Sequence, residues 1–280
     1  MAFLFHFCGM HKISFNGHHV DAAAPLFTVA NRGYRYGDGL FETMKLHRGK
    51  VLLFPYHLQR MRNGCHALQL DCHAMEENLV EQIEALARMN NCSDMARIRL
   101  SVFRADNNDA GYVLEANALT EAAFQWQEEG WRLSLYRQNR KSADELSNMK
   151  TANYLLYVLA DIFAKAERTD EALVLNTTNN LCDGSRTNLF LVLNGVVKTP
   201  ALNQGCVAGV MRRYILEQCS ALNIQVQETV LTETDLLHAD EVFLTNAIEG
   251  IRWVKSCAGK TYSNQFSMYL FRKALATIYG

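Results

Sequence analysis

Leu181-Cys-Asp-Gly-Ser-Arg-Thr-Asn-Leu-Phe-Leu-Val-Leu-Asn-Gly-Val-Val197 opens with turn residues, runs through five apolar or β-favouring positions and turns again at Asn194-Gly195. An Asn-Gly pair between two apolar runs supplies the positive φ angles that a two-residue β-hairpin needs. Ile13-Ser-Phe-Asn-Gly-His-His-Val20 repeats the pattern around Asn16-Gly17, and Phe41 to Phe54 predicts a third hairpin turning at Arg48-Gly49. Outward from these hairpins, apolar residues recur at three and four over 55–69, 74–90, 151–168, 209–222 and 264–279, the spacing of helices. Ala96 to Arg104 and Trp131 to Tyr136 read as strands. Pro55 is placed to open a helix and Pro200 to close a strand. Strands and helices in this mixed order predict an α+β fold, not a regular βαβ series.

The chain has 280 residues and is 49% hydrophobic, enough for a sizeable core and against disorder or a coiled coil. Lys and Arg number 28 against 29 Asp and Glu, so no electrostatic grip on nucleic acid or anionic lipid is expected. No segment approaches the ~20 apolar residues of a membrane span. Met1-Ala-Phe-Leu-Phe-His-Phe-Cys-Gly9 lacks a basic leader and reads as an extension or first strand, not a signal peptide. Eight scattered cysteines show no zinc-ribbon or redox spacing, which predicts free thiols in a reducing cytoplasm and no metal site. Arg137-Gln-Asn-Arg-Lys-Ser-Ala-Asp-Glu-Leu-Ser-Asn148 is the most polar stretch of its length. It is the candidate linker (137–148) between a smaller N-terminal α+β domain (1–136) and a C-terminal domain (149–280).

Several residues could carry chemistry. Lys150 stands before the apolar Thr151-Ala-Asn-Tyr-Leu-Leu-Tyr-Val-Leu-Ala160, where a desolvated amine would be a nucleophile able to form a Schiff base. A solvated lysine at an element end is the commoner arrangement. Asp183 either closes its own turn or serves catalysis. Gly209 precedes a helix whose first amides could seat a phosphate, although most such glycines serve geometry alone. Arg60, one turn after His57, could reach an anion or simply face water. Gly33-Tyr-Arg-Tyr-Gly-Asp-Gly39 is glycine-rich, but neither its spacing nor the hairpin after it fits a dinucleotide loop. No H-E-x-x-H or G-x-S-x-G motif occurs.

Taken in order, Arg32-Gly-x-x-Tyr-Gly-Asp-Gly-Leu-Phe-Glu-Thr43, His57-Leu-x-Arg60, Lys150-x-x-Asn-Tyr154, Asp183-Gly-Ser-x-x-Asn-Leu-Phe190, Thr199-Pro200 and Gly209-Val-Met-Arg212 closely resemble the class IV aminotransferase family. The likeness runs from about Phe15 to Val254 and leaves out the first dozen residues. It implies a two-domain, D-amino-acid-aminotransferase-like fold of type IV and pyridoxal 5'-phosphate as cofactor, held by the C-terminal domain between the two. It also implies a homodimer acting on a small amine or amino acid. Within it, Lys150 corresponds to the lysine that carries the cofactor and moves protons. Arg60, together with Val210 and Met211 through their amides, corresponds to the phosphate seat; Tyr154 corresponds to the aromatic residue beside the phenolic oxygen. Asp183 falls where the family usually has Glu, the partner of the pyridine nitrogen. Asn246 and Ala247 fall at a further cofactor-contacting turn, and Tyr36 and Arg104 on the substrate side.

Gly209-Val-Met-Arg212 and Thr245-Asn-Ala-Ile248 are more similar to 4-amino-4-deoxychorismate lyases than to aminotransferases, which typically have G-I-T-R and, in branched-chain enzymes, a phosphate-binding Thr at the position of Ala247. Glu42 in an F-E-T run points the other way. So does the lack of a second arginine between Arg104 and Gly111-Tyr112, which leaves a dianionic substrate to Arg97, Arg99 or Arg104. The resemblance therefore implies a lyase releasing 4-aminobenzoate and pyruvate in the folate route, or alternatively a branched-chain or D-amino-acid aminotransferase. A cofactor-binding protein with little turnover is a third reading, resting on Asp183 alone.

Overall fold

In a computed structural model, residues 11–105 and 109–279 are described; the N-terminal stretch read above as an extension or first strand lies outside them. The chain divides into two compact units, one of residues up to Glu121 with Thr151–Asn153, the other of Ala122–Lys150 with Tyr154 onward.

The first unit is built on a six-stranded sheet in the order β2-β1-β6-β5-β3-β4. Its strands are β1 (Lys12–Phe15), β2 (His18–Asp21), β3 (Gly39–His47), β4 (Lys50–Val51), β5 (Met95–Arg104) and β6 (Ala110–Ala118). β1 and β2 meet at Asn16-Gly17 and β3 and β4 at Arg48-Gly49, all four turn residues at positive φ. β5 alternates between buried and more open positions, as a strand with one covered face must. The helices are α1 (Arg32–Tyr36), α2 (Phe54–Ala67), α3 (His73–Glu76) and α4 (Leu79–Met89). Pro55 lies in the first turn of α2, where its missing N–H is harmless. The helix expected over 74–90 is interrupted, with α3 and α4 separated by Glu77 and Asn78.

The second unit carries a nine-stranded mixed sheet in the order β12-β11-β10-β13-β14-β7-β8-β9, with β15 on β14. Its strands are β7 (Trp131–Lys141), β8 (Glu171–Asn176), β9 (Leu181–Gly184), β10 (Asn188–Leu193), β11 (Val196–Pro200), β12 (Val226–Thr229), β13 (Glu241–Asn246), β14 (Gly250–Cys257) and β15 (Lys260–Thr261). The helices are α5 (Leu155–Ala166), α6 (Val210–Ala221), α7 (Glu233–His238), α8 (Gln265–Leu270) and α9 (Ala276–Tyr279), the last two joined by a π-helical turn. β7 and β8 are parallel through α5, and β11 and β12 through α6, because a parallel pair needs a long crossover. β8 and β9 are buried along their whole length, which explains their lack of alternation.

Two expectations need correction. The strand Trp131–Tyr136 belongs to the second unit and runs on to Lys141, so 137–148 is not a linker. Residues 137–140 form an irregularity in β7 whose side chains are largely in water, which is why they read as polar, and pairing resumes at buried Lys141 opposite Asn176. The helix expected from 151 starts at Leu155. Thr151 instead bridges Leu40, and the Ala152 amide donates to the Gly39 carbonyl at 2.9 Å. Thr and Asn are weak helix formers, so Thr151 and Asn153 resist this pairing little.

Candidate active site

The inward face of α5 carries Tyr157, Ala160 and Ala164, spaced to pack on the sheet against Tyr136, Ala172 and Val174. That packing holds Tyr154 and Tyr157 with ring centroids 4.5 Å apart. Half-buried Lys150 places its Nζ 5.7 Å from the Tyr154 ring centre, so the lysine is neither fully solvated nor sealed in the core. Tyr154 donates its hydroxyl to the Ser185 carbonyl at 3.3 Å.

Asp183 does not close its own turn. It is 2% exposed and accepts from three donors on three segments. The Tyr157 hydroxyl donates to Oδ2 at 2.8 Å, the Val207 amide to Oδ2 at 2.9 Å and Asn188 Nδ2 to Oδ1 at 2.9 Å. Burial pushes the carboxyl above the usual range, while the Lys141 ammonium and the three donors pull the other way by favouring the anion. Burial and the neighbouring Asp183 charge push the Tyr157 phenol well up, so it stays protonated and donates. The turn that delivers Asp183 is tied down by buried Glu171, which accepts from the Ser185 amide at 2.7 Å, the Ser185 hydroxyl and the Thr187 hydroxyl at 3.4 Å.

Asn188 also donates to the Val207 carbonyl at 2.8 Å, and through it the carboxylate is linked to the start of α6. A Cβ on Gly209 would lie 1.8 Å from Asn188 Oδ1, so glycine is a packing requirement here. No side chain caps α6, which leaves the amides after Gly209 for another acceptor. Thr245, the register partner of Asn188, has a buried hydroxyl with no hydrogen-bond partner and shares the face on which Asn188 stands. Asn246 is spent on the next turn, accepting from the Ile248 and Glu249 amides at 2.9 and 2.7 Å, and Ala247 brings no hydroxyl.

One run of contacts in the second unit thus joins Lys150, Tyr154, Tyr157, Asp183 and Asn188 to Val207 and Gly209, the residues that lead into Val210 and Met211 of α6. Tyr157, Asn188 and Lys141 were not anticipated. Asn188 stood in the quoted motif five residues after Asp183, and Tyr157 one helical turn after Tyr154, the only signals available.

The remaining candidates lie in the first unit. Arg60 on α2 grips Glu42 of β3 bidentately, Nε to Oε1 at 2.7 Å and Nη2 to Oε2 at 2.6 Å, and His57 Nδ1 adds a contact at 2.7 Å. Burial would raise the Glu42 carboxyl, but Arg60 and His57 outweigh it and hold it down at about 2. Tyr36 is largely exposed, with the Arg32 guanidinium 5.1 Å above its ring. Arg104 is committed to the fold. It binds Asp38 through Nε at 3.0 Å and Nη2 at 3.3 Å, and donates to the Leu68 and Gln69 carbonyls at 2.7 and 3.3 Å. Arg99 lies over the Phe41 ring at 4.2 Å and is half-exposed.

The family model for class IV amino-transferases matches residues 39–257. The chain belongs to the class IV aminotransferase family. It is 31% identical over 261 residues to a putative branched-chain-amino-acid aminotransferase of Methanocaldococcus jannaschii, covering 91% of this chain and 90% of that one. It is 30% identical over 233 residues to an aminodeoxychorismate lyase of Vibrio harveyi, covering 80% and 84%. A branched-chain aminotransferase from the thermophilic archaeon Thermoproteus uzoniensis, solved with norvaline, superposes with a TM-score of 0.85 at 24% identity over 96% of this chain and 96% of that one. The expected α+β fold of type IV is therefore found, and the chain is an enzyme of a class whose members are pyridoxal-phosphate-dependent aminotransferases and lyases. No helix among the described residues is long and apolar enough to cross a membrane.

Proposed function

We propose that this enzyme is a 4-amino-4-deoxychorismate lyase using pyridoxal 5'-phosphate. Support for the cofactor comes from the residues themselves: an amine at an aromatic wall, a buried carboxylate with an acceptor position to spare, an uncapped helix start opened by Gly209, and the orphaned Thr245 hydroxyl. Lys150 would hold the cofactor and move the proton, Asp183 would pair with the ring nitrogen, Tyr154 would serve the phenolic oxygen, and Val210, Met211 and the Asn246–Ala247 turn would hold the phosphate; Arg60, the further phosphate candidate by resemblance, is held bidentately by Glu42. When bound, the cofactor supplies an electron sink that stabilises negative charge on the carbon beside the substrate nitrogen. An anionic Asp183 keeps the ring nitrogen protonated and so keeps that sink deep.

The observation that carries the lyase reading is a phosphate seat without side-chain hydroxyls at either place where the aminotransferases put them, Met211 and Ala247. Arg104 is committed to Asp38, so Arg97 and Arg99 are the remaining candidates on β5 for a substrate carboxylate, with Tyr36 the further substrate-side candidate. Branched-chain transamination is the second reading, favoured by Glu42 in F-E-T and by the M. jannaschii relative. Pyruvate released from 4-amino-4-deoxychorismate with no 2-oxo acid present is the expected result. Product formed only when an acceptor is added would transfer the assignment to the aminotransferase. The enzyme works as a homodimer in a reducing cytoplasm, in keeping with the seven free cysteines among the described residues.

A further inference from the structure

We propose that Tyr157 is the positioning residue that allows an aspartate to serve at position 183, its phenol occupying the length that a glutamate would have filled. The inference rests on the reading that Asp183 faces the cofactor's ring nitrogen. Asp183 is one methylene shorter than the Glu of the family pattern, yet its carboxylate is anchored at both oxygens. Two of the three anchors, Asn188 Nδ2 and the Val207 amide, belong to the sheet and the loop before α6, and Asn188 ties them to each other. Of the three, only Tyr157 reaches the carboxylate from a helix, at the oxygen that also accepts from the Val207 amide.

The phenol itself is fixed. Tyr157 is 5% exposed, its ring packs on Tyr154, and Lys141 Nζ lies 5.0 Å from the ring centre. Lys141 is anchored in turn by donating to the Ser147 carbonyl at 2.7 Å. Among the groups facing Asp183, Lys141 from β7 brings positive charge, and Tyr157 from α5 and Asn188 from β10 donate. The thiols of Cys182 and Cys206 are kept neutral by burial, the latter pushed up to about 12. Tyr157 therefore has two effects on one carboxylate: it sets where the oxygen lies, and it favours the charged form. On this proposal a Glu at 183 and the Tyr157 hydroxyl compete for the same space, which couples the two positions.

The test uses the holoenzyme carrying cofactor labelled with 15N at the ring nitrogen, in Tyr157→Phe, Asp183→Glu, the double variant and Asp183→Asn. Phe keeps the ring packing and removes only the hydroxyl. Tyr157→Phe removes a donor that favours the Asp183 anion, so the ring nitrogen moves towards its neutral 15N shift and cofactor affinity falls roughly tenfold, the loss expected for one hydrogen bond to a charged group. Asp183→Glu alone loses affinity, and adding Tyr157→Phe restores at least part of it, a coupling that independent sites would not show. Losses that simply multiply, or a Tyr157→Phe enzyme with unchanged 15N shift and affinity, would overturn the proposal. An unchanged 15N shift in Asp183→Asn would instead show that Asp183 does not face the ring nitrogen. Should Asp183→Glu fail to fold, the 15N shift and cofactor affinity of Tyr157→Phe still decide.

Discussion

At the residue scale, the site depends on atoms that have nowhere else to go. Gly209 has no room for a methyl beside Asn188 Oδ1. Gly209→Ala must displace Asn188 and with it one of Asp183's donors. The expected outcome is a folded protein with at least tenfold weaker cofactor binding, measured by fluorescence titration of the apoprotein. Arg99 and Arg104 of β5 separate by the same logic. Arg104→Ala leaves the Leu68 and Gln69 carbonyls unmatched while Asp38 keeps Arg32, so denaturant titration should show a loss of about 1–2 kcal/mol. Arg99→Ala should leave stability nearly unchanged and, on the proposal that Arg99 meets a substrate carboxylate, raise KM roughly tenfold or more.

At the element scale, legibility followed local chemistry. Asn16-Gly17, Arg48-Gly49 and Asn194-Gly195 all turn as expected, since a positive φ at two successive residues is a local demand that few sequences meet. Pro55 and Pro200 mark a helix start and a strand end for equally local reasons. What could not be read was decided by distant partners. Polar 137–140 continues β7 as an irregular stretch before Lys141 pairs with Asn176, Thr151 pairs with Leu40 and not with its own helix, and Arg104 serves a helix end more than thirty residues away. Tyr157 reads as one more apolar helix residue, because nothing in the sequence says which carboxylate its hydroxyl meets. The β9–β10 turn shows the same dependence. Its shape rests on Glu171, far back in the chain, so Glu171→Ala should leave the Ser185 and Thr187 donors unmatched. The expected cost is about 2–3 kcal/mol of stability by urea unfolding, together with weakened cofactor binding.

At the scale of the whole molecule, charge and exposed apolar surface make two further predictions. Glu42 titrates at about 2 when folded against 4.5 as an ordinary glutamate. Its ionisation therefore stabilises the fold fully above pH 4.5, by about 3 kcal/mol, and this contribution drains away as pH falls towards 2. Glu42→Gln should raise the midpoint of acid unfolding, with the difference from wild type largest above pH 4.5 and vanishing near pH 2. Helix α5 presents Leu155, Val158, Leu159 and Ile162 outward, an apolar stripe opposite its buried face. If this stripe meets a second copy, Ile162→Glu shifts the protein from dimer to monomer in light-scattering measurements. A dimer insensitive to that change would place the interface elsewhere.

The three-point clamp on Asp183 has a kinetic consequence. The carboxylate is oriented by groups of its own chain, so no slow rearrangement need precede loading at this end of the site. In stopped-flow mixing, the observed uptake rate should climb linearly with vitamer concentration and not level off, the signature of a receptor that waits ready-made.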